Sequence, residues 1–366
     1  MSDQPPSGPA EPGPSGAGLP ADPTSPPPPA ADPAALPQPD HQGYAPSGGQ
    51  PGAAYPAPTP GWGWPAYPGS PPMPGQAYAW PPAGAGWDPA DPLVTPPHAG
   101  IGGWFSRLGG ALRRGWRSLL PIVLLTQAVP GAVVSVLGLA LAPTGEPTTG
   151  ADGAPILPEG YLREMLTFYV TVLVAGLLLG LVQNLGWAAG TWVVTRQAAG
   201  EPAGTGAALR YGLRRALGLW GWSLVTALLI TVGVCFCVLP GIYAAFALAL
   251  VGPVYLFERQ NPVGRSVRIL HQRFGPVLGR LAVVAAAIVL GGLLGFVLEA
   301  VGQLPFGQHP LDSPGTAAGA VGVSVLAAVL AVPASLVQLA GLVLTYAEQR
   351  AYEGPVNAAR LAAELG

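Results

Sequence analysis

The chain has 366 residues, of which 50% are hydrophobic and only 9% are charged. Soluble domains carry about 25% charged residues, so this composition excludes an ordinary soluble protein and indicates a membrane protein. The net charge of −2 hides an uneven distribution, because all sixteen basic residues are arginines that lie beyond residue 100.

The first 98 residues differ from the rest of the chain. Thirty of the 46 prolines lie in the first hundred residues, together with many Gly, Ala and Ser. No apolar periodicity there runs long enough to build a core, so the sequence predicts a disordered, Pro/Gly/Ala-rich cytoplasmic tail over 1–98. The start of the chain also lacks the basic and apolar segments of a secretory signal, and we expect none.

Aromatic residues are spaced through the second half of this tail. They could mediate weak self-association or bind a protein partner. They could equally belong to a solvated tether, and the sequence leaves both interpretations open. The residues are Tyr44, Tyr55, Trp62, Trp64, Tyr67, Tyr78, Trp80 and Trp87.

Beyond the tail, the chain contains apolar stretches that are long enough to cross a bilayer, which takes about 20 helical residues. The 42 residues over 216–257 carry no charge and must cross twice, with a break at Leu239-Pro240-Gly241, because proline lacks the amide of a continuing helix. The sequence therefore predicts an all-α bundle of six transmembrane helices over 99–352, followed by a short cytoplasmic C-terminus over 353–366. The predicted spans are 118–142, 165–195, 216–238, 242–257, 281–302 and 317–347.

The arginines predict the orientation of these spans. Fifteen of them flank the spans on the side of the tail, and only Arg163 lies on the other side. Arginines are retained on the cytoplasmic side of membranes, so we expect a multi-pass protein of the cell membrane with both termini in the cytoplasm.

The sequence predicts three amphipathic helices that lie at the headgroup level, each ahead of a pair of spans. They are the basic stretches 101–117, 207–217 and 262–274. Asn261 and Pro262 form a plausible start for the third. We expect anionic headgroups at the cytoplasmic face as partners, and no nucleic acid. The candidate headgroup contacts are Arg113, Arg114, Arg117, Arg265, Arg268 and Arg273.

Few polar residues lie inside the spans. Gln183 and Asn184 in the second span and Glu299 in the fifth form a candidate intramembrane polar site. Glu299 lies near the outer end of its span, so the carboxylate either reaches water there or joins Gln183 and Asn184 in a proton or cation pathway. Both interpretations stay open.

The sequence contains no pattern of catalytic, cofactor-binding or metal-binding residues. The four histidines are scattered and share no metal-ligand spacing, and no nucleophile, phosphate-binding or zinc-binding motif occurs. We therefore expect no catalytic activity, no cofactor and no metal.

One region resembles a known bacterial family. The resemblance lies in Leu239-Pro240-Gly241-Ile242, in the segment 252–259, and in the segment that runs from Arg265-Ser266 to Leu278-Gly279. These motifs are similar to the membrane domain associated with glycerophosphoryl diester phosphodiesterases, a six-span module found in actinobacterial proteins behind a Pro/Gly/Tyr-rich tail. Where the family usually has Ala-Leu before the Arg-Ser pair, this chain has Val263-Gly264. The resemblance implies an integral membrane protein without phosphodiesterase activity, because catalysis in those enzymes belongs to a separate soluble barrel.

The function that these features favour is a non-catalytic membrane protein, a lipid-associated scaffold or accessory subunit. The alternative is a small transporter or channel with a polar site near the bilayer midplane. A membrane-embedded enzyme comes third, because it would need clustered His, Asp or Glu side chains near an interface.

Overall fold

The computed structural model describes residues 87–143, 148–149, 155–307 and 310–366, which all belong to one compact unit, Gly75–Gly366. The predicted tail up to residue 86, with seven of its eight aromatic residues, lies outside the described residues. Most of the described chain is helical, apart from a short antiparallel pair, β1 Thr148–Thr149 and β2 Pro155–Ile156. The helices are α1 Gly100–Val123, α2 Val129–Leu141, α3 Tyr161–Ala198, α4 Thr205–Phe236, α5 Val238–Ala247, α6 Val251–Glu258, α7 Pro262–Gln272, α8 Phe274–Gln303, α9 Pro314–Leu330, α10 Val332–Glu353 and α11 Ala358–Leu365.

Six helical segments of the described chain are long and apolar enough to cross a membrane, which confirms the predicted fold class. Their outward faces are apolar: Leu178, Leu228 and Val289 expose 68%, 63% and 66% of their surface. Apolar side chains on this scale face lipid and not water, so the chain is a multi-pass membrane protein. The six segments are Pro97–Leu141, Tyr161–Ala198, Thr205–Phe236, Val238–Glu258, Phe274–Phe306 and Pro314–Glu353.

The turn between the third and fourth spans lies earlier than the sequence predicts. Helix α4 ends at Phe236, Cys237 is extended, and α5 begins at Val238. Pro240 therefore lies in the first turn of α5, where helical amides have no intrahelical acceptor and a missing amide costs nothing. Gly241 serves close packing instead of the turn, because a Cβ there would lie 2.8 Å from the backbone nitrogen of Val234.

The three basic stretches do not each form the separate helix that the sequence predicts. The first and second are the opening turns of α1 and α4, which continue into the bundle as helix; α1 does so through Pro121. Only the third forms its own helix, α7. The predicted start of α7 is confirmed: the Asn261 side chain accepts a hydrogen bond from the Gly264 amide, and Pro262 is the first helical residue.

Both ends of the described chain meet at one end of the bundle. Asp91 accepts hydrogen bonds from the amides of Leu93 and Val94 with one carboxylate oxygen, and from the amide of Ala358, at the start of α11, with the other. Leu93 and Leu361 are fully buried. Residues 87–96 therefore pack with the folded part, N-terminal to the domain boundary predicted at 98, and the shared location of the two ends requires an even number of crossings.

Helices α3 and α4 approach each other closely, which positions the polar residues described next. A Cβ on Gly212 of α4 would lie 2.5 Å from the carbonyl oxygen of Leu185 in α3. Only glycine permits this contact. Elsewhere along the same pair of helices, the Asn184 side chain of α3 accepts a hydrogen bond from Ser223 of α4.

Candidate functional site

A cavity of about 480 Å³ lies inside the bundle. Helices α3, α4, α8 and α10 and the junction of α5 and α6 form its walls. Most of the lining is apolar, as in Leu219, Ile230, Val284 and Leu339, and the lining contains no charged residue. The cavity therefore suits an uncharged, largely apolar molecule.

A cluster of amide and hydroxyl groups lies on one wall of the cavity. The Asn184 side chain donates to the carbonyl of Gly180 at 2.8 Å, and its oxygen lies 2.7 Å from the Ser223 hydroxyl. The side-chain amides of Gln183 and Gln338 also line the cavity and have no hydrogen-bond partner among the described residues. Both residues are half-buried and their amides are unpaired within the described chain, so these amides are available to a ligand.

The fourth span is broken where it borders this cavity. Helix α5 ends at Ala247 and α6 begins at Val251, and Leu248 and Ala249 of the intervening segment line the cavity. The carbonyl of Ala247 is satisfied from outside the span, by the Ser266 hydroxyl of α7 at 2.7 Å. Irregular backbone at membrane depth is stable only where protein or a cavity surrounds it, and such breaks mark binding sites in transporters.

The structure does not bring the three residues of the predicted intramembrane site together. Gln183 and Asn184 line the cavity, whereas Glu299 lies outside its lining. The Glu299 carboxylate instead accepts a hydrogen bond from Ser324 of α9 at 3.0 Å and lies 3.5 Å from the hydroxyl of Ser135 in α2. Glu299 therefore belongs to a separate polar contact between α2, α8 and α9.

Sequence analysis did not include Ser223, Thr226 or Gln338 in the candidate site. Ser223 donates a hydrogen bond to Asn184, and Thr226 and Gln338 line the same cavity. Ser223 and Thr226 are three residues apart on α4, a spacing that places them on one helical face. The Thr226 hydroxyl is buried without a partner among the described residues. Polar residues at helical spacing inside an apolar run are the signal that could have identified this face.

The six arginines predicted to contact headgroups have different environments. Four of them, Arg113, Arg114, Arg117 and Arg268, are exposed, as headgroup contacts require. Arg265 is paired within the protein, with Glu258 at 3.0 Å and with Glu353. Hydrogen bonds that Arg265 donates to Glu353 and Glu258 raise the pKa of Arg265 above its ordinary value, although burial opposes this.

Arg265 belongs to a network of charges that joins α6, α7, α10 and α11. Glu258 accepts hydrogen bonds from Arg265 and from the Tyr346 hydroxyl, and lies 3.3 Å from Arg350. Arg350 also pairs with Glu364 of α11 at 3.1 Å. The sequence could not predict this network, because Glu258 and Arg265 bond residues of α10 that lie 88 positions further along the chain and meet them only when the bundle closes.

The sixth arginine, Arg273, lies against the ring of Tyr352, with the guanidinium carbon 3.2 Å from the ring centroid. Tyr352 also contacts Trp87 edge to face, at 4.5 Å between ring centroids. The last of the aromatic residues predicted in the tail therefore has a partner in the folded part of the chain.

Within the described part of the chain, no group of three or more His, Cys, Asp or Glu side chains is arranged to hold a metal ion. Comparison with known proteins yields no match: no family model, no curated protein and no solved structure is similar to this chain.

Proposed function

We propose that the chain is a non-catalytic protein of the cell membrane, a lipid-associated scaffold or accessory subunit that holds an uncharged amphipathic lipid in its intramembrane cavity. The observation that carries this proposal is the cavity itself. Its apolar walls fit a hydrocarbon chain, and the amides of Gln183, Asn184 and Gln338 fit a hydroxyl or ester group. The resemblance to the phosphodiesterase-associated membrane domain stays a prediction.

The arrangement of helices around the cavity supports a lipid as the ligand. Helix α4 packs on α3, α5 and α6, whereas α8 packs on α7, α9 and α10. Residues of α4 and α8 line the same cavity, but the two helices share no extensive contact. We propose that a lipid enters the cavity from the bilayer between these two helices.

The orientation of the protein is part of the same proposal. Fifteen of the sixteen arginines flank the spans on one side, and the contact between Asp91 and Ala358 joins the two ends of the described chain. Retention of arginine in the cytoplasm then favours cytoplasmic termini.

Native mass spectrometry of the protein purified in a mild detergent tests the lipid proposal. We expect a lipid of uniform mass to remain bound to the wild-type chain. Replacing both Asn184 and Gln338 by leucine removes the polar groups of the cavity and should lower the retained lipid at least tenfold, since a buried hydrogen bond contributes about 1 kcal/mol and two are lost. The control is Ser335→Ala on α10, outside the cavity lining; equal retention in all three proteins would refute the proposal.

The break between α5 and α6 favours a second candidate, a small transporter whose substrate binds in the cavity. Flux assays in proteoliposomes separate the two functions. Flux that is lost in Asn184→Leu supports the transporter, whereas vesicles without flux support the lipid-binding protein.

A further inference from the structure

A second concave site lies outside the intramembrane cavity, where α1 and α8 begin and α10 ends. This groove, called here the Arg273 groove, has a volume of about 480 Å³ and shares no lining residue with the cavity. The lining residues that matter for its chemistry are Gly100, Arg273, Gly275, Gly279, Arg280 and Tyr352.

Arg280 supplies a buried donor that lacks an acceptor. Its side chain exposes only 8% of its surface, with one terminal nitrogen 2.6 Å from Glu348 and the other donating to the carbonyl of Pro276 at 2.8 Å. The remaining donor, Nε, is buried and has no partner among the described residues. An unpaired buried N–H is unfavourable, so this atom calls for an acceptor oxygen.

Arg273 adds a positive charge that no carboxylate of the described chain neutralises. The guanidinium lies over the Tyr352 ring, and no Asp or Glu of the described residues lies within ion-pair distance of it. Arg265 and Arg350, on the neighbouring α7 and α10, are both paired with glutamates. The groove therefore keeps a net positive charge even though Glu348 lies behind Arg280.

Two helix N-termini add to this charge. Helix α8 has no side-chain cap at Arg273, and α1 has none at Ala99. The amides of a helix's first turn lack intrahelical acceptors, and the helix dipole makes that end positive. Anions, and phosphate above all, bind at such ends.

Glycine leaves the groove open. A Cβ added at Gly100, Gly275 or Gly279 would meet no heavy atom within 4 Å. Side chains at these positions would project into unoccupied space beside the two arginines, so there is room for a tetrahedral group of oxygens.

From these observations we propose that the Arg273 groove binds a phosphate group, with the Arg273 guanidinium donating to its oxygens and Arg280 adding positive charge from the groove wall. A phospholipid headgroup and a free phosphate share this chemistry. Ile101 and Phe274 beside the groove are apolar and expose 47% and 50% of their surface, which gives a lipid an apolar flank. The inference rests on the proposed membrane location and is independent of the intramembrane cavity.

Titration of the full chain in nonionic detergent with short-chain phosphatidic acid tests the site, and diacylglycerol with the same chains is the matched ligand without phosphate. Arg273→Gln should weaken the binding of phosphatidic acid at least tenfold and leave that of diacylglycerol unchanged, because only the charged hydrogen bonds are lost. Gly279→Leu keeps both arginines and fills the groove, so it should have the same effect. Arg163→Gln, exposed at the start of α3 and outside the groove, should change neither affinity.

Equal affinity for phosphatidic acid in the wild type and in both groove variants would overturn the proposal. So would a parallel loss of both ligands, since that would show that the phosphate is not recognised. Competition by inorganic phosphate identifies the source: displacement of phosphatidic acid supports a site for free phosphate, and no displacement supports a site for lipid headgroups. Loss of diacylglycerol binding in Asn184→Leu concerns only the intramembrane cavity. Failure of the cavity proposal can therefore be distinguished from failure of the groove proposal.

Discussion

Individual residues show how strongly the bundle depends on paired charges. Glu348 of α10 exposes 1% of its side chain and Arg280 of α8 exposes 8%, and the two are 2.6 Å apart. Burial of either charge alone is costly, so the stability of this contact depends on the pair as a unit. The pair between Arg196 and Glu201 offers a comparison, because its side chains expose 26% and 40%.

Replacing Glu348 by Gln should therefore destabilise the protein far more than replacing Glu201 by Gln. The first change leaves the buried Arg280 without a countercharge and should lower the free energy of unfolding by about 3 kcal/mol. The second breaks an exposed pair and should cost less than about 1 kcal/mol. Thermal unfolding in detergent measures both; similar midpoints for the two variants would mean that the buried pair has no special role.

At the scale of helices, close packing depends on glycines that the sequence alone does not distinguish. Gly176 and Gly186 both lie in α3 and look equivalent in an apolar run. A Cβ on Gly186 would lie 1.9 Å from the Thr126 hydroxyl, whereas a Cβ on Gly176 would meet nothing within 4 Å. Gly186 therefore determines how closely α3 approaches the π-helical turn Leu124–Ala128 that joins α1 to α2.

Alanine at these two positions should have opposite effects. Gly186→Ala forces α3 away from Thr126 and should destabilise the protein by about 1–3 kcal/mol. Gly176→Ala meets no neighbour and gains helix propensity, so its stability should be unchanged or higher by up to about 1 kcal/mol. Unfolding midpoints compared in the same detergent decide the matter, and a stable Gly186→Ala would refute this account of the contact.

The helix boundaries illustrate what the sequence can and cannot predict. Hydropathy predicts the spans because a segment in lipid must satisfy its own backbone, a local requirement. Pro240 and Gly241 were expected to form the turn after α4, but proline is also well suited to the first turn of a helix, and composition does not separate the two roles. The break between α5 and α6 has no comparable marker, since it depends on the cavity and on Ser266 beside it.

For the molecule as a whole, the contact between the two ends of the described chain holds both ends at the same end of the bundle. Asp91 bonds three backbone amides, one of them at the start of α11, and Trp87 contacts Tyr352. The arginine distribution predicted both termini on one side of the membrane. Their direct contact could not be predicted, because it joins residues that are 267 positions apart. For the same reason the sequence named Asn184 as a candidate site residue without Ser223, its hydrogen-bond partner on α4.

Truncation tests this constraint. Removal of residues 1–86 leaves the contacts of Trp87 and Asp91 intact, so the unfolding midpoint should stay the same. Removal of residues 1–95 also deletes Asp91 and the buried Leu93, and should lower the midpoint by several degrees. Asp91→Ala should reproduce part of this loss, whereas Asp88→Ala, which removes one exposed hydrogen bond to Ala90, should not; equal stability of both truncated chains would contradict the proposed role.

The bond between Asp91 and Ala358 also sets an order of events during synthesis. The ribosome makes Asp91 before any of the six spans and makes Ala358 after all of them. The six spans therefore enter the bilayer before Asp91 can bond Ala358, and this contact forms only when translation is nearly complete. Membrane insertion of the spans and formation of this contact are therefore separate stages of biosynthesis.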